Sequence, residues 1–437
     1  MRSPLVLALV VFSAVMASAQ VTPELIRQRT EREWDVKAEK MRAQLLPLMR
    51  RHGIDLWIIL SRENTPDPAL ELFGGYGITG WYGHRNAYLF YDPGKSAALE
   101  TTAIGTHLSG HLRRFYDTLE PYGEEGLAPH LRRYIEARNV ETIAINQSRT
   151  ISMADGLTAE LKDYLLQALG APYHDRLVSS EPLLVEYVST RTGAEHAIQR
   201  EASAATFAIL RRALSNEVIA PGETGLMDVQ YWITAEWKRQ GFEFNFPASL
   251  DLQRAGSQSL DDALNPIIEP GDLVHVDFGV RSSGIVADQQ KMAYVLREGE
   301  SDVPEGLEMA FEQSIEMAEI LRDEMRVGRT GIEIKTAAEA RARRSGLEAL
   351  VYSHVQGNWV HDAGVWMIHD WPERYGDHPR FSLRAGEWIS LEFSVTVPVA
   401  EWDGQPVTIM REEDTVANDD GRIEYLSSPQ AELWVIR

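Results

Sequence analysis

Apolar residues recur along the chain at two spacings, one typical of helices and one of buried strands. Those at helical spacing predict a long helix over residues 24–52, which Gly53 ends. The run 54–60, which is apolar apart from Asp55, predicts a strand that is covered on both faces. Segments of the same two kinds follow, namely strands at 87–91 and 142–145 and helices at 127–137 and 156–169. Alternating strands and helices predict an α/β domain, which we place at residues 20–187.

A different pattern begins at residue 188. It predicts helices at 194–216, 227–240, 305–327 and 331–345, an extended segment at 242–250, and two strands at 274–280 and 285–296 around a Ser-Ser-Gly turn. From residue 349 onward the chain is rich in strand patterns. We therefore expect an α+β domain over residues 188–437. The length of 437 residues is enough for two or three domains, each with its own core.

Residues 1–19 have the layout of a secretory signal peptide. Arg2 is basic, residues 5–16 are apolar apart from Ser13, and Ala17-Ser18-Ala19 provides a small-residue cleavage site. The apolar run is too short to span a bilayer well. We expect cleavage after Ala19 and a secreted or periplasmic protein without a membrane segment. An uncleaved anchor is the alternative.

Charge and cysteine content narrow the chemistry. The chain has 65 acidic and 43 basic residues and a net charge of −22, which argues against nucleic acid as a partner. It has no cysteine, which excludes disulfides, zinc ribbons, iron–sulfur clusters and thiol nucleophiles. Any metal ion must therefore bind to oxygen and imidazole ligands.

Two aspartates interrupt the apolar strands on either side of the Ser-Ser-Gly turn. If Ser282 and Ser283 form a two-residue turn, Asp277 and Asp288 face each other across the hairpin, with Cβ atoms roughly 5 Å apart. Like charges in that arrangement are destabilising unless a cation lies between them. The alternative is a pair of surface aspartates on an edge hairpin.

Further candidates follow in strand-like segments. Glu392 and Glu413 lie in segments otherwise suited to a core, and His354 and His361 lie seven residues apart in one loop-like stretch. Each of these residues alone is more often structural than functional. The two aspartates, Glu392, Glu413 and His354 together indicate an oxygen-rich site for two divalent ions, with manganese favoured and cobalt, zinc or iron possible. Two such ions about 3.5–4 Å apart can share a hydroxide that acts as a nucleophile, so the pattern predicts metal-assisted hydrolysis.

The order Asp, Asp, His, Glu, Glu resembles that of the pita-bread metallopeptidases, which include Xaa-Pro aminopeptidase, prolidase and creatinase. The segment around Asp277 and Asp288 is similar to the family's GDLVxxDxG and SDxTR motifs. The stretch 353–364 resembles GH…VHDxG, and 411–416 resembles RxEDTV. The resemblance covers residues 188–437, and the part before it resembles the smaller creatinase-type domain by arrangement more than by motif.

The resemblance implies a role for each matched residue. Asp277 would chelate one ion, Asp288 and Glu413 would bridge both, and His354 and Glu392 would bind the other. Glu392 would also move protons. His361 would not bind metal but would hydrogen-bond the substrate and stabilise the oxyanion. Arg411 would orient a bridging carboxylate.

Three departures from the family pattern leave the substrate open. Gln-Gln-Lys follows Asp288, Phe-Ser follows Glu392, and no histidine lies between His196 and His275, where the peptidases carry a substrate-binding one. Ser257, Gln258 or Ser259 occupies about that position. The segment 365–388 adds Trp366, Trp371, His369 and His378, which could line a substrate cleft or pack a core.

These features leave three hypotheses. The first is an exported aminopeptidase or dipeptidase of Xaa-Pro type that acts on small peptides. The second is a C–N hydrolase of a small non-peptide substrate on the same metal site. The third is a non-enzymatic pita-bread binding protein, which the retained ligand set disfavours. A homodimer is compatible with all three.

Overall fold

The computed structural model describes residues 21–75, 84–94, 97–257 and 265–437. The predicted signal peptide at residues 1–19 lies outside them. The α-helices in these ranges are α1 Pro23–Lys40, α2 Leu46–Arg51, α3 Leu127–Glu136, α4 Ala159–Leu169, α5 Glu181–Ser189, α6 Gly193–Ala213, α7 Leu226–Arg239, α8 Glu305–Glu324, α9 Gly331–Arg344 and α10 Pro372–Tyr375. None of the helices described is both long and apolar enough to cross a membrane.

The strands divide between an amino-terminal and a carboxy-terminal sheet, apart from one short pair. The first six are β1 Leu56–Arg62, β2 Arg85–Tyr91, β3 Glu100–Gly105, β4 Thr118–Pro121, β5 Ile143–Ile145 and β6 Leu177–Ser179. The others are β7 Ser249–Gln253, β8 Leu273–Phe278, β9 Arg281–Ser282, β10 Ile285–Val286, β11 Gln289–Val295, β12 Glu348–Val351, β13 His354–Gln356, β14 Trp388–Val399, β15 Gln405–Ala417, β16 Ile423–Tyr425 and β17 Trp434–Ile436. Strands β9 and β10 form a separate two-stranded sheet.

The amino-terminal sheet has the strand order β4-β3-β2-β1-β5-β6 and is mixed, since β1 pairs antiparallel with β2 and parallel with β5. Alternate residues of β1 enter two separate cores. Trp57 and Ile59 pack with α2 and α5, while Leu56 and Ile58 pack with α3 and α4. A strand covered by helices on both faces has no polar alternation, which explains the continuous apolar run. The predicted α/β domain is confirmed.

The carboxy-terminal sheet has the order β12-β14-β15-β11-β8-β7, with β13, β16 and β17 paired at its sides. Helices α8 and α9 pack on one part of it, where Leu391 and Phe393 of β14 join the core. Helices α6 and α7 pack on another part, against Val274 and Val276 of β8. On the opposite face, β8 carries His275 and Asp277 and β14 carries Glu392. This is the pita-bread arrangement that the sequence predicted.

Two sequence predictions differ in detail. The helix expected over 24–52 contains a π-helical turn at Met41–Leu45 between α1 and α2. Pro47 lacks the N–H that would bond the carbonyl of Ala43, and such a gap favours a wider turn. The segment expected to be extended from 242 becomes a strand only at Ser249. The domain boundary expected at 187/188 falls inside α5 and stays a prediction.

Candidate metal centre

The hairpin that carries Asp277 and Asp288 turns one residue later than the sequence suggested. Ser283 and Gly284, with φ of 49° and 73°, form its two-residue turn, and such turns favour residues that tolerate positive φ. The register therefore places Gln290 opposite Asp277, so the expected direct pairing of the two aspartates is wrong. Asp288 lies between β10 and β11, and it is still close enough to Asp277 for the charge of Asp277 to raise its pKa.

Four polar side chains form a row across the carboxy-terminal sheet, one from each of four adjacent strands. Asp277 of β8 pairs with Gln290 of β11, Gln290 with Glu412 of β15, and Glu412 with Glu392 of β14. Residues directly opposite one another point to the same face of a sheet. The row therefore lies on the face away from the helices, and His354 joins it from β13, which pairs with β14.

His354 lies at the centre of the carboxylates. Its Nε2 atom is 3.8 Å from Asp288 Oδ2, 3.6 Å from Glu392 Oε2 and 3.8 Å from Glu412 Oε1. Its Nδ1 atom lies 3.2 Å from the carbonyl oxygen of Val355. A carbonyl oxygen only accepts, so Nδ1 is the nitrogen that carries the proton. Nε2 then offers its lone pair toward the carboxylates, as a metal ligand would.

Three buried carboxylate oxygens of this cluster have no hydrogen-bond partner in the described part of the chain. They are Asp277 Oδ1, Asp288 Oδ1 and Glu412 Oε2. Buried acceptors without a donor are costly, and most are satisfied by protein, water or an ion. Ligand atoms of Asp288, His354 and Glu412 also lie within 4.8 Å of one another. The donor set of carboxylates and one imidazole thus fits divalent cations.

The carboxylates of the cluster disfavour one another's charge. Burial raises the pKa of Asp277 to about 6, and the charge of Glu392 adds to the rise while His275 opposes it. Burial, followed by the charges of Asp277 and Glu392, raises the pKa of Asp288 well above its ordinary value. The pKa of Glu412 is raised in the same way, by burial first and then by Asp288. A cation among these groups would favour their ionised forms.

Glu413, the expected bridging ligand, does not face the cluster. Neighbouring residues of a strand point to opposite faces, and on β15 the residue that pairs with Glu392 is Glu412. The Glu413 carboxylate instead lies 2.7 Å from Lys291 Nζ and accepts from the backbone N–H of Gln430 at 2.9 Å. The sequence assignment is therefore corrected from Glu413 to Glu412.

The expected role of Arg411 changes with that correction. Its side chain points to the same face as Glu413 and lies 3.4 Å from that carboxylate. It also donates to the carbonyl oxygen of Gln430 and lies over the ring of Phe311. Arg411 thus supports a structural ion pair and does not orient a carboxylate of the cluster.

His361 lies beside His354, with 4.4 Å between the ring centroids. One edge of the His361 ring is exposed to solvent. Burial of the rest of the ring, followed by the charges of His354 and His378, lowers the pKa of His361 to about 3. Trp366 lies 5.5 Å from the His361 ring and stacks on His378 at 3.9 Å. Part of the tryptophan-rich segment therefore forms an aromatic wall behind the two histidines, while Trp371 is exposed.

A chain of hydrogen bonds that the sequence did not predict leads into the cluster. Gln290 Nε2 donates to Glu392 Oε1 at 2.6 Å, and Gln290 Oε1 lies 3.1 Å from His275 Nε2. His275 Nδ1 is 2.8 Å from Asp251 Oδ2. Burial alone would lower the pKa of His275, but Asp251 and Asp277 raise it overall. His275 is a polar residue in a mostly apolar strand, and this sequence feature could have indicated the hydrogen-bond chain.

The region where the peptidases carry a substrate-binding histidine is only partly described. Ser257 lies at its edge, where its backbone oxygen accepts from Gln405 Nε2 at 3.0 Å. Gln258 and Ser259 lie outside the described residues. The choice among these three stays a prediction.

A pita-bread sheet with a buried cluster of carboxylates and one histidine is the framework of a metal-dependent hydrolase. The sequence model of metallopeptidase family M24 matches residues 197–419, just over half of the chain. The chain therefore belongs to metallopeptidase family M24. No curated protein sequence matches it.

Solved structures share the fold over most of the chain. An X-Pro aminopeptidase from Thermotoga maritima has a TM-score of 0.67 at 17% identity, with 89% of this chain and 99% of that chain covered. A Xaa-Pro dipeptidase from Bacillus anthracis has a TM-score of 0.65 at 16% identity, with 91% and 99% covered. The prolidase from Pyrococcus horikoshii has a TM-score of 0.60 at 17% identity, with 91% and 99% covered. The similarity therefore includes the amino-terminal domain.

Proposed function

We propose that this chain is a peptidase of Xaa-Pro type that uses two divalent metal ions held by Asp277, Asp288, His354, Glu392 and Glu412. The observation that carries the proposal is the row of carboxylates around His354, with three buried oxygens that have no hydrogen-bond partner among the described residues. Oxygen and imidazole donors favour manganese, cobalt, zinc or iron, with manganese first. When bound, the ions would polarise the scissile carbonyl and lower the pKa of water.

The chain's own residues would position the substrate and move protons. Glu392 is less buried than Asp288 and Glu412, with 14% of its side chain exposed, so it can exchange a proton with the cleft. His361 faces the same opening and would donate a hydrogen bond to the oxygen of the scissile group as charge develops there. Trp366 and His378 would exclude water from one side of that opening.

The substrate class rests on the family and on the similar structures, which are described as X-Pro aminopeptidase, Xaa-Pro dipeptidase and prolidase. A C–N hydrolase of a small non-peptide substrate is the second candidate. Two observations favour it: the absence of histidine between His196 and His275, and the Gln290 amide within the row of carboxylates.

The direct test uses metal-depleted protein that is reloaded with manganese, cobalt or zinc. We expect hydrolysis of X-Pro dipeptides or of longer peptides with proline in second position, and two metal ions per chain. Glu412→Gln is the inactive control. Turnover of small amides without peptide cleavage would favour the second candidate. No hydrolysis with any of these ions would contradict both.

We further propose that the protein is exported with loss of residues 1–19, as the composition of that segment predicts. Expression of the full chain in a bacterial host, followed by fractionation and amino-terminal sequencing, tests this. A mature chain that begins at Gln20 in the exported fraction is expected. An intact amino terminus in the cell interior would contradict it.

A further inference from the structure

Helix α1 ends in a buried ion pair with helix α6, which packs on the carboxy-terminal sheet. Lys40, the last residue of α1, places Nζ 2.9 Å from Glu195 Oε1 in the first turn of α6. The two side chains are only 4% and 5% exposed. An ion pair this buried is weakly screened, so the charges around it must balance.

Arg191 continues this pairing toward the candidate metal centre. It lies 3.7 Å from Glu195 Oε1 and 3.0 Å from Asp362 Oδ2, and its side chain and that of Asp362 are 3% and 1% exposed. The guanidinium also lies 4.4 Å above the ring of Trp388. We call Lys40, Glu195, Arg191 and Asp362 the buried charge chain.

The far end of the buried charge chain fixes the loop that presents His361. Arg191 donates to Asn358 Oδ1 at 2.9 Å and to the carbonyl oxygen of Gln356 at 3.3 Å. Asp362 accepts from the backbone N–H of Asn358 at 3.0 Å. Arg191 and Asp362 therefore hold both ends of the segment 356–362, and His361 lies between those contacts.

The alternation of charge gives Lys40 a defined influence on this loop. Two cations and two carboxylates balance while all four residues are present. Without Lys40, Arg191 is the only cation left in the buried charge chain, and it lies between the carboxylates of Glu195 and Asp362. A guanidinium can align well with only one of these two carboxylates. Movement of Arg191 toward Glu195 therefore weakens its contact with Asp362.

We propose that Lys40 is a positioning residue, which keeps Arg191 on Asp362 and thereby fixes the His361 loop from the other domain. The contribution of that loop to turnover rests on the proposed function. The conformational order of the loop does not rest on the proposed function, so the rigidity of the loop can be measured independently of activity.

Hydrogen exchange of segment 356–363 in the full-length protein, read by mass spectrometry, tests the proposal. Lys40→Met is expected to raise exchange there about tenfold. Lys37→Met is the matched control, because Lys37 pairs with Glu33 on the same helix at 2.7 Å with side chains 8% and 9% exposed. Lys37 also donates to the carbonyl oxygen of Glu71, and it has no part in the buried charge chain.

Two further variants separate positioning from simple loss of an ion pair. Glu195→Gln breaks the same pair but removes the competing carboxylate, so Arg191 should stay on Asp362 and the loop should stay protected. Lys40→Met combined with Glu195→Gln restores the charge balance and should return exchange to the wild-type rate. If Lys40→Met does not fold, these two variants decide the question through the same measurement.

Activity and metal affinity supply the second readout. For Lys40→Met we expect kcat on an X-Pro peptide to fall about tenfold, with KM and the affinity for Mn²⁺ unchanged. Equal loop exchange in Lys40→Met and wild type would overturn the proposal, as would a loop loosened equally by Lys37→Met or left loose in the double variant. An inactive wild-type protein would refute the proposed function only, because the exchange measurement still decides the role of Lys40.

Discussion

Glu412 and Glu413 are neighbours on β15, both with 1% exposure, yet their surroundings are opposite. Glu413 lies against Lys291 and accepts a backbone hydrogen bond, so its charge is compensated by the protein. Glu412 lies among other carboxylates, and its Oε2 atom has no partner among the described residues. Burial therefore does not separate the structural acid from the proposed metal ligand, whereas the compensation of the carboxylate charge does.

The largest effect that tests this contrast is expected for Glu412→Gln. The variant should lose metal binding and nearly all activity, since it removes a central carboxylate of the cluster. The metal-free variant should unfold at a temperature equal to or above that of metal-free wild type, because a repelling charge is gone. Metal analysis and thermal unfolding check both points. A variant that still binds two ions would contradict the assignment.

Glu413→Ala should act on folding instead. It leaves Lys291 buried without its carboxylate, which typically costs about 3–5 kcal/mol. Denaturant unfolding of the metal-free protein measures this loss, and Glu413→Ala combined with Lys291→Met should recover part of it. The folded fraction should retain its metal affinity. A fully stable variant without metal binding would reverse the roles of the two glutamates.

His361→Ala should leave both metal binding and stability in place. The turnover number should fall about a hundredfold or more, because a donor directed at the developing oxyanion is lost. Titration with Mn²⁺ and steady-state kinetics on one peptide separate the two readouts. Loss of metal from this variant would place His361 among the ligands.

Gln290→Leu should have a smaller effect on the same cluster. It removes the donor to Glu392 Oε1, while Glu392 Oε2 still faces His354. Loss of a hydrogen bond to a metal-binding side chain typically lowers metal affinity or activity by about 10–100-fold. Titration calorimetry with Mn²⁺ measures the change, and His275→Leu should reproduce part of it. Wild-type affinity in both variants would show that the hydrogen-bond chain does not orient Glu392.

Asp67 in the amino-terminal domain shows that an uncompensated buried carboxylate alone does not indicate a metal site. Its Oδ2 atom is also buried without a partner among the described residues. Among the described residues Asp67 belongs to no group of three possible metal ligands, and burial raises its pKa to about 7. Because the folded-state pKa is raised from 3.8, the stability that Asp67 contributes is present below pH 4 and is lost progressively as pH rises from 4 to 7. Asp67→Asn should therefore raise the unfolding temperature at pH 8 by about 2–4 °C and should change it least near pH 4. Equal shifts at both pH values would contradict this.

Much of the fold could be predicted from the sequence, because its long helices and buried strands follow clear periods. Strands β3, β4 and β6 were missed. Each is six residues or shorter, and β4 and β6 have few buried side chains, so their apolar pattern is weak. Their place in the sheet depends on pairing with distant segments, which a local pattern does not contain.

The structure brings Asp277, Asp288, His354 and Glu392 together, as the sequence predicted, and it differs from the sequence prediction at two points. A turn that shifts by one residue changes every cross-strand partner, which removed the direct pairing of Asp277 with Asp288. Adjacent acids on a strand lie on opposite faces, so the family-like motif alone could not separate Glu412 from Glu413. The alternation along β15 contained the answer: Val407 and Ile409 face the core under α8, and Glu413 continues their face.

The row of Asp277, Gln290, Glu412 and Glu392 also has a consequence for the lifetime of the protein. Its members are up to 135 positions apart in the sequence, so the cluster exists only when the whole sheet has formed. Metal ions would then bind the native state and not the unfolded chain. A ligand of that kind adds about 2.7 kcal/mol at a free concentration one hundred times its Kd. Survival against unfolding and proteolysis would accordingly follow the supply of metal in the surroundings, independently of whether any substrate is present.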